Sequence, residues 1–358
     1  MTSVPKNILI TGVGGPTPRS FAHALKDYGQ VFKNAKLIGT DIHPLAIGLY
    51  QKELFEETLL IPRADAPNYW EVIEDLIEKF EIDVAVVLPE LEVVQWGLRQ
   101  KEDKLPCKAL IAQHEINELL VNKAKMTALL DGLGLVPPSV AFKANDFNVE
   151  EIFHTLGNEF WVRSSSGTSG LGSLLVKGKE ALANWIQINP GVKEFLASQY
   201  LPGRNLACKL LYWKGNLVRS ACAERVHYIM SKVAPSGITG NTSFGRLLNE
   251  PELVEEAEKA MNRIFSHTQS EKHGFYTVDF KEDDLGKAYI TEINVRHVAF
   301  TQCFAAGGAN LAEDSLRLLM EDQTFDQSYR MYEFPKDLIF LRDVDERPVL
   351  MKESDLCR

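Results

Sequence analysis

The chain has 358 residues, 45% of them apolar and 25% charged, the proportions of a globular protein of roughly two or three domains. Its formal charge of −10 lacks the basic surplus of a general nucleic-acid binder, and no apolar run reaches the roughly 18 residues that cross a bilayer. Cys107, Cys208, Cys222, Cys303 and Cys357 are scattered and never form Cys-x-x-Cys, against both a disulfide framework and a cysteine zinc site. With no signal-peptide pattern from Met1 to Lys6, the expectation is a cytoplasmic protein with neither nucleic acid nor membrane as partner.

The first 112 residues alternate apolar runs with amphipathic stretches. Residues 7–11 (NILIT), 36–41 (KLIGTD), 58–62 (TLLIP), 82–89 (IDVAVVLP) and 108–112 (KALIA) read as strands. Residues 17–28 and 68–80 read as helices, the second opening on Asn68-x-x-Glu71, a capping-box-like start. Apolar strands separated by helices predict a parallel sheet covered on both faces, with ligands beyond the carboxyl ends of the strands. Gly12 to Gly15, Asp41 and the segment 89–92 stand at those ends. Gly12-x-Gly14 starts like a dinucleotide fingerprint, but Thr17 takes the third glycine position and Pro16 and Pro18 crowd the turn. Close packing of helix on strand is the alternative there, and a plain structural role is the alternative to a ribose-binding one for Asp41.

A helix over 117–133 runs into Gly134-Leu135-Val136-Pro137-Pro138, a stop. Strands with turn signals follow to about residue 217, interrupted by helices at 148–156 and 179–188. Residues 194–201 and 205–213 read as strands, and Lys214-Gly215-Asn216 turns the chain back. Further helices are expected over 251–267 and 309–321, with a hairpin over 275–296 between them.

Two segments carry chemistry. Residues 164–173 read SSSGTSGLGS, flanked by strand-like 160–163 and 174–176. Glycines let backbone N–H groups turn inward, and with hydroxyls they hold an anion. Ser173 stands where a Walker A loop has lysine, so the pattern is a strand–loop–strand flap with Arg163 at its base, or else a surface hairpin. In the hairpin, Glu292, Asn294 and Arg296 lie at i, i+2 and i+4 and project from one face. A two-residue loop at Leu285-Gly286 puts Asp279 opposite Glu292; a three-residue loop puts it opposite Thr291. In the first register two carboxylates and an amide oxygen converge beside an arginine. Oxygen ligands select hard cations, and Mg²⁺ takes one or two carboxylates while sharing its other sites with water and phosphate. Arg296 adds fixed charge for a transferring phosphoryl group. A solvated ion-paired face is the alternative.

With these residues in place the chain resembles the ATP-grasp superfamily, most closely its carbamoyl-phosphate-synthetase-like branch, in order over essentially its whole length. The resemblance implies α/β architecture: an N-terminal Rossmann-like parallel α/β domain (1–114), a first grasp subdomain with the phosphate flap (115–200), a second with the metal hairpin (201–330) and a C-terminal extension (331–358). It implies that ATP is bound by Lys123, Arg163, the flap residues Ser165, Ser166, Gly167, Thr168, Ser169 and Gly170, the hinge Gln199, Tyr200 and Leu201, and Asn205. It makes Asp279, Glu292 and Asn294 the ligands of Mg²⁺, with Mn²⁺ as substitute, and Arg296 the phosphate-contacting arginine. Glu92, in a Pro-x-x-Glu segment, would face the cleft. Gln199 and Asn205 are amides where the family usually has glutamates, which removes a charge-assisted component from those hydrogen bonds.

The implied reaction joins small-molecule carboxylate and amine substrates: the carboxylate takes the γ-phosphoryl group of ATP as an acylphosphate, and the amine displaces phosphate. Arg225, followed by the Gly/Ser/Thr-rich stretch 236–245, is expected to bind the acceptor or line the acylphosphate pocket. Gly14, Gly15 and His297 are further substrate candidates, with a structural role as the alternative for His297; the segment 300–308 would close the cleft wall. Phosphorylation of bicarbonate or carbamate, and a non-catalytic nucleotide-binding regulator, stand as the other readings. A homodimer is left open.

Overall fold

The computed structural model describes residues 7–167, 172–343, 349–352 and 354. The chain starts with β1 (Asn7–Thr11), α1 (Pro16–Tyr28), β2 (Lys36–Asp41), β3 (Glu57–Leu60), α2 (Tyr69–Lys79), β4 (Val84–Val86), α3 (Glu90–Lys101) and β5 (Lys108–Ala109). These strands pair in parallel in the order β3-β2-β1-β4-β5, the Rossmann-like arrangement expected. Ile8 and Ile10 turn to one side of the sheet and Leu9 to the other, all fully buried, so both faces are covered as continuous apolar strands require. The capping box does not form: Asn68 precedes α2 without a side-chain cap bond.

The single helix expected over 117–133 is two, α4 (His114–Leu120) and α5 (Lys123–Leu130). Asn122 breaks it by taking an extended conformation and accepting a hydrogen bond from Lys125 N at 3.0 Å, the local alternative that asparagine offers to helix continuation. Next come β6 (Ser139–Lys143), α6 (Val149–Leu156), β7 (Glu159–Ser164), β8 (Leu174–Lys177), α7 (Lys179–Ile188) and β9 (Glu194–Gln199). They form a four-stranded sheet, β6-β9-β7-β8, with its own core around Phe160, Val162, Phe195 and Leu182.

The remainder is β10 (Asn205–Trp213), β11 (Asn216–Tyr228), β12 (Thr242–Leu248), α8 (Pro251–Thr268), β13 (Gly274–Glu282), β14 (Ala288–Asn294), α9 (Thr301–Ala306), α10 (Leu311–Leu319), β15 (Arg330–Met331), β16 (Leu338–Leu341) and β17 (Val349–Lys352). The third sheet runs β14-β13-β10-β11-β12-β16-β17, with β15 beside β11. One face packs Leu206, Cys208, Leu210, Tyr276 and Val278 against Leu253, Ala257, Met261 and Ile264 of α8, apolar positions at helical spacing. On the other face Ala207, Leu211 and Phe275 share one core with Ile8, Phe21 and Leu25 of the first sheet and its helix. That shared core brings the carboxyl ends of β1 and β4 up to the β13–β14 hairpin. No helix among the described residues is long and apolar enough to cross a membrane.

Candidate functional site

The hairpin reaches the favourable pairing by a route other than a two-residue loop. Glu282 pairs with Ala288, Lys281 with Tyr289 and Phe280 with Ile290, so residues 283–287 form the turn, in the register that would set Asp279 opposite Thr291. A bulge at Thr291 then shifts the partner strand by one, and Asp279 faces Glu292, Val278 faces Ile293 and Thr277 faces Asn294. Strand side chains alternate, so residues three apart normally point to opposite faces. The extra residue lets Ile290 and Ile293 both enter the α8 core while Glu292 and Asn294 turn toward the cleft. The Arg163 guanidinium donates to the carbonyl of Thr291, the bulge residue.

Around this pair the charges interlock. Asp279 accepts from Arg225 Nη1 and from Asn294 Nδ2, both at 3.3 Å. Lys123, at the start of α5, puts Nζ 3.1 Å from Glu292 Oε1 and donates to the Gly167 carbonyl at 2.7 Å; its backbone N–H donates to Ser165 O at 2.7 Å. Asn122 therefore does more than cap: it sets the turn from which Lys123 reaches the hairpin. Arg225 also donates to Thr242 Oγ1 at 2.9 Å and Gly240 O at 2.7 Å. Burial pushes the Asp279 carboxyl up, with Arg225 pulling it down and Glu292 opposing. For Glu292 burial acts in the same upward sense, but Lys123 and Arg163 outweigh it and the carboxyl lies below its ordinary value. Arg163 and Arg296 are both lowered by burial, against the pull of these carboxylates. β14 ends at Asn294, so Arg296 sits in the bend beyond it rather than on the strand. Its Nη1 donates to His297 O at 3.0 Å.

Two pockets meet here. One, of about 390 Å³, includes Lys123, Arg163, Gly167, Asp279 and Glu292 and extends to Gln199, Tyr200, Leu201 and Asn205. The other, of about 300 Å³, is walled by Gly12, Gly15, Thr17 and Pro89 from the first domain and by Asn294 and Arg296. Arg225, Gly240, Asp279 and Glu292 line both. In the flap segment Ser164, Gly167 and Ser173 line the first pocket, Ser165 is buried at 1% exposure with Oγ unpartnered among the described residues, and Ser166 is exposed. Thr168, Ser169 and Gly170 lie outside the described residues.

Three substrate candidates line neither pocket. Gly14 is a packing glycine, since a Cβ there would meet Ala46 Cβ at 2.8 Å, and its N–H donates to Asp41 Oδ2 at 2.8 Å. Asp41 thus holds the turn, also accepting from His43 N at 2.9 Å, rather than standing free for a ribose. Glu92 is buried on the inner side of α3, where burial pushes its carboxyl up to about 7 against hydrogen bonds from Thr11 and Tyr69. His297 is stacked on Phe275 with centroids 3.6 Å apart, its Nε2 3.4 Å from Ser315 Oγ, and burial holds it well below the ordinary imidazole value. Phe300 is core rather than cleft wall; Val298 and Ala299, just before that stretch, line the second pocket.

Sequence reasoning missed Glu90 and Lys209. Glu90, half-buried at the start of α3, has its carboxyl raised by burial, with Lys123 and Arg296 pulling it down and Glu292 adding to the rise. Lys209 is 1% exposed, donates to Thr277 Oγ1 at 3.0 Å and lies 4.4 Å from the Phe300 ring centre; burial pushes its ammonium down to about 7. A lysine inside the apolar run NLACKLLYW was the available signal.

Among the described residues no group of three or more His, Cys, Asp or Glu side chains could hold a metal ion. Asp279, Glu292 and Asn294 are instead an all-oxygen set of two carboxylates and an amide. That fits a hard cation whose remaining sites go to phosphate oxygens and water.

No protein-family model and no curated protein sequence matches the chain. Among solved structures it is similar to N5-carboxyaminoimidazole synthetase from Staphylococcus aureus complexed with ADP (TM-score 0.69, 17% identity, 94% of this chain and 82% of that one). It is also similar to L-amino acid ligase from Bacillus licheniformis (0.65, 15%, 95% and 79%). A third is the biotin carboxylase domain of the Hydrogenobacter thermophilus 2-oxoglutarate carboxylase, solved with ADP, its magnesium salt and bicarbonate (0.66, 15%, 95% and 75%). At such identities the likeness is one of fold: the chain has the ATP-grasp fold, preceded by an N-terminal Rossmann-like parallel α/β domain.

Proposed function

We propose that the chain is an ATP-dependent ligase that activates a carboxylate as an acylphosphate for attack by an amine. The observation that carries this is the pairing of Asp279 with Glu292, restored by the Thr291 bulge, at the junction of two pockets. The structural neighbours, whose names include an amino acid ligase and a carboxylase domain with MgADP and bicarbonate, support the same reading. The first pocket takes ATP, its phosphates toward Lys123, Arg163 and the flap and its base toward Gln199, Tyr200 and Leu201. The second takes the acceptor carboxylate, between the Gly15 turn and Arg225 and Arg296. The four segments 1–114, 115–200, 201–330 and 331–358 are proposed as the working units.

Asp279, Glu292 and Asn294 would hold Mg²⁺, or Mn²⁺, which neutralises the phosphate tail when bound. The chain's own part is positioning and charge. Arg225 and Arg296 draw the carboxylate in, and Lys123, Arg163 and Arg296 offset negative charge where it develops. The acceptor oxygen attacks the γ-phosphorus and the bond to the ADP oxygen breaks, its electrons leaving with ADP. The amine nitrogen then attacks the acyl carbon, phosphate leaves with the carbon–oxygen electron pair, and the nitrogen gives its proton to solvent. No base is needed for the first step because the carboxylate is already ionised.

ADP release with Mg²⁺ across amino acids, dipeptides and bicarbonate tests this, comparing wild type with Glu292→Ala. Wild type is expected to release ADP with one acceptor class, and the variant to be slower by about 100-fold or more. Equal rates in the two proteins would refute the role of Glu292.

A further inference from the structure

The same proposed nucleotide site carries a statement about the sugar. On the ribbon of β10 and β13, Ala207 stands opposite Asp279 and Asn205 opposite Lys281. Two residues along a strand span about 7 Å, so the Asn205–Lys281 row lies one same-face step from the metal row, toward Gly203. A nucleotide with its phosphates at Asp279 and Glu292 and its base at Gln199 to Leu201 lays its sugar on that row. The polar side chains there are amides, hydroxyls and an ammonium: Ser139, Ser198, Gln199, Tyr200, Asn205 and Lys281 line this stretch. Among the described residues the pocket's carboxylates are Asp279 and Glu292, both in the metal row. In the adjoining groove, Glu224 is committed to Arg246 at 2.9 Å, Glu282 to Arg204 at 2.6 Å, and Asp283 accepts from Leu285 N and Lys287 N at 2.9 and 2.8 Å, while Asp284 stands exposed on the turn beyond them. Lys281 Nζ donates to Gly203 O at 2.5 Å.

We infer that the site reads the sugar without a carboxylate, through the Asn205 amide, and therefore takes 2′- and 3′-deoxy nucleotides nearly as well as ribonucleotides. The inference rests on the nucleotide reading above. A carboxylate accepting from a ribose hydroxyl makes a charge-assisted bond about twice as strong as a neutral one. Take that hydroxyl away and a buried charge is left without its donor. An amide loses only the modest net gain of a neutral bond, and water replaces the partner.

The test is calorimetric titration of the wild-type chain with ADP, 2′-deoxy-ADP and 3′-deoxy-ADP in Mg²⁺. All three dissociation constants are expected within about tenfold of one another. Binding of either deoxy nucleotide more than about tenfold weaker than ADP overturns the inference and leaves the nucleotide site standing. Failure of all three to bind overturns the nucleotide site, and this inference with it. Asn205→Glu restores a carboxylate at the sugar and is expected to widen the preference for ADP beyond about tenfold. A folded variant with an unchanged ratio overturns the placement of Asn205; if the variant does not fold, the wild-type comparison decides.

Discussion

Glu92 sits on the inner face of α3 at 4% exposure, with Oε2 unpartnered among the described residues. Burial raises its carboxyl to about 7, and the nearby Asp41 charge adds to the rise. Between about pH 4.5 and 7 the folded chain therefore holds a proton that the unfolded chain has released. Stability falls as pH rises through that window. The gap of roughly 2.5 units is worth about 3 kcal/mol. Glu92→Gln, which keeps the shape and removes the charge, is expected to be more stable than wild type by up to that amount at pH 8 and equal to it near pH 4.5, by thermal unfolding across pH. A pH-independent difference would contradict the buried-carboxyl account. The resemblance implies a cleft-facing Glu92, but the helix that begins at Glu90 turns it inward. With α3 beginning at Glu90, position 90 turns toward Arg296 and position 92 toward the sheet. By contrast Glu292 and Asn294 stood out because charged and amide residues alternating along a strand have few structural uses, whereas Lys123 was an expectation of the resemblance and Arg225 of the Gly/Ser/Thr-rich stretch that follows it.

At the level of elements, the hairpin was legible in position, while its critical pair was one of two registers the sequence left open. Turn length and bulge each shift the register by one residue, and two such shifts cancel, so the Asp279–Glu292 pair emerges from a five-residue turn. Alternation read from Glu292 and Asn294 alone could not reveal Thr291 as the extra residue. Ile290 and Ile293, three apart and both apolar, were the trace of it. The turn between β9 and β10 has a similar constraint. Gly203 N donates to Glu282 O at 2.9 Å, and a Cβ at Gly203 would stand 2.6 Å from Glu282 Cβ and 2.8 Å from Asp283 O. Backbone cannot step aside cheaply. Gly203→Ala is expected to destabilise the chain by about 1–3 kcal/mol, measured by denaturant titration, and to weaken ADP binding by moving Asn205. A variant of wild-type stability would contradict this packing of Gly203 on the hairpin.

Across the whole molecule, the succession of parallel domain, flap sheet and hairpin followed from local periodicity and turn residues. The pairing of distant strands did not. That β10 lies between β11 and β13, and that β16 and β17 extend the same sheet beyond β12, depends on complementary faces far apart in sequence, and local pattern does not encode it. Those pairings bring α5, β7, β11 and β14 to one place, so that Lys123, Arg163, Arg225 and Glu292 meet. Divalent-cation binding at that meeting point, in the presence of nucleotide, is what the proposed chemistry requires. The most direct measurement is Mn²⁺ binding by electron paramagnetic resonance in saturating ADP, for wild type and for Glu292→Ala. A bound ion is expected in wild type, with an affinity at least about tenfold lower in the variant and the fold preserved. Equal Mn²⁺ affinity in the two proteins would contradict the proposed cation site.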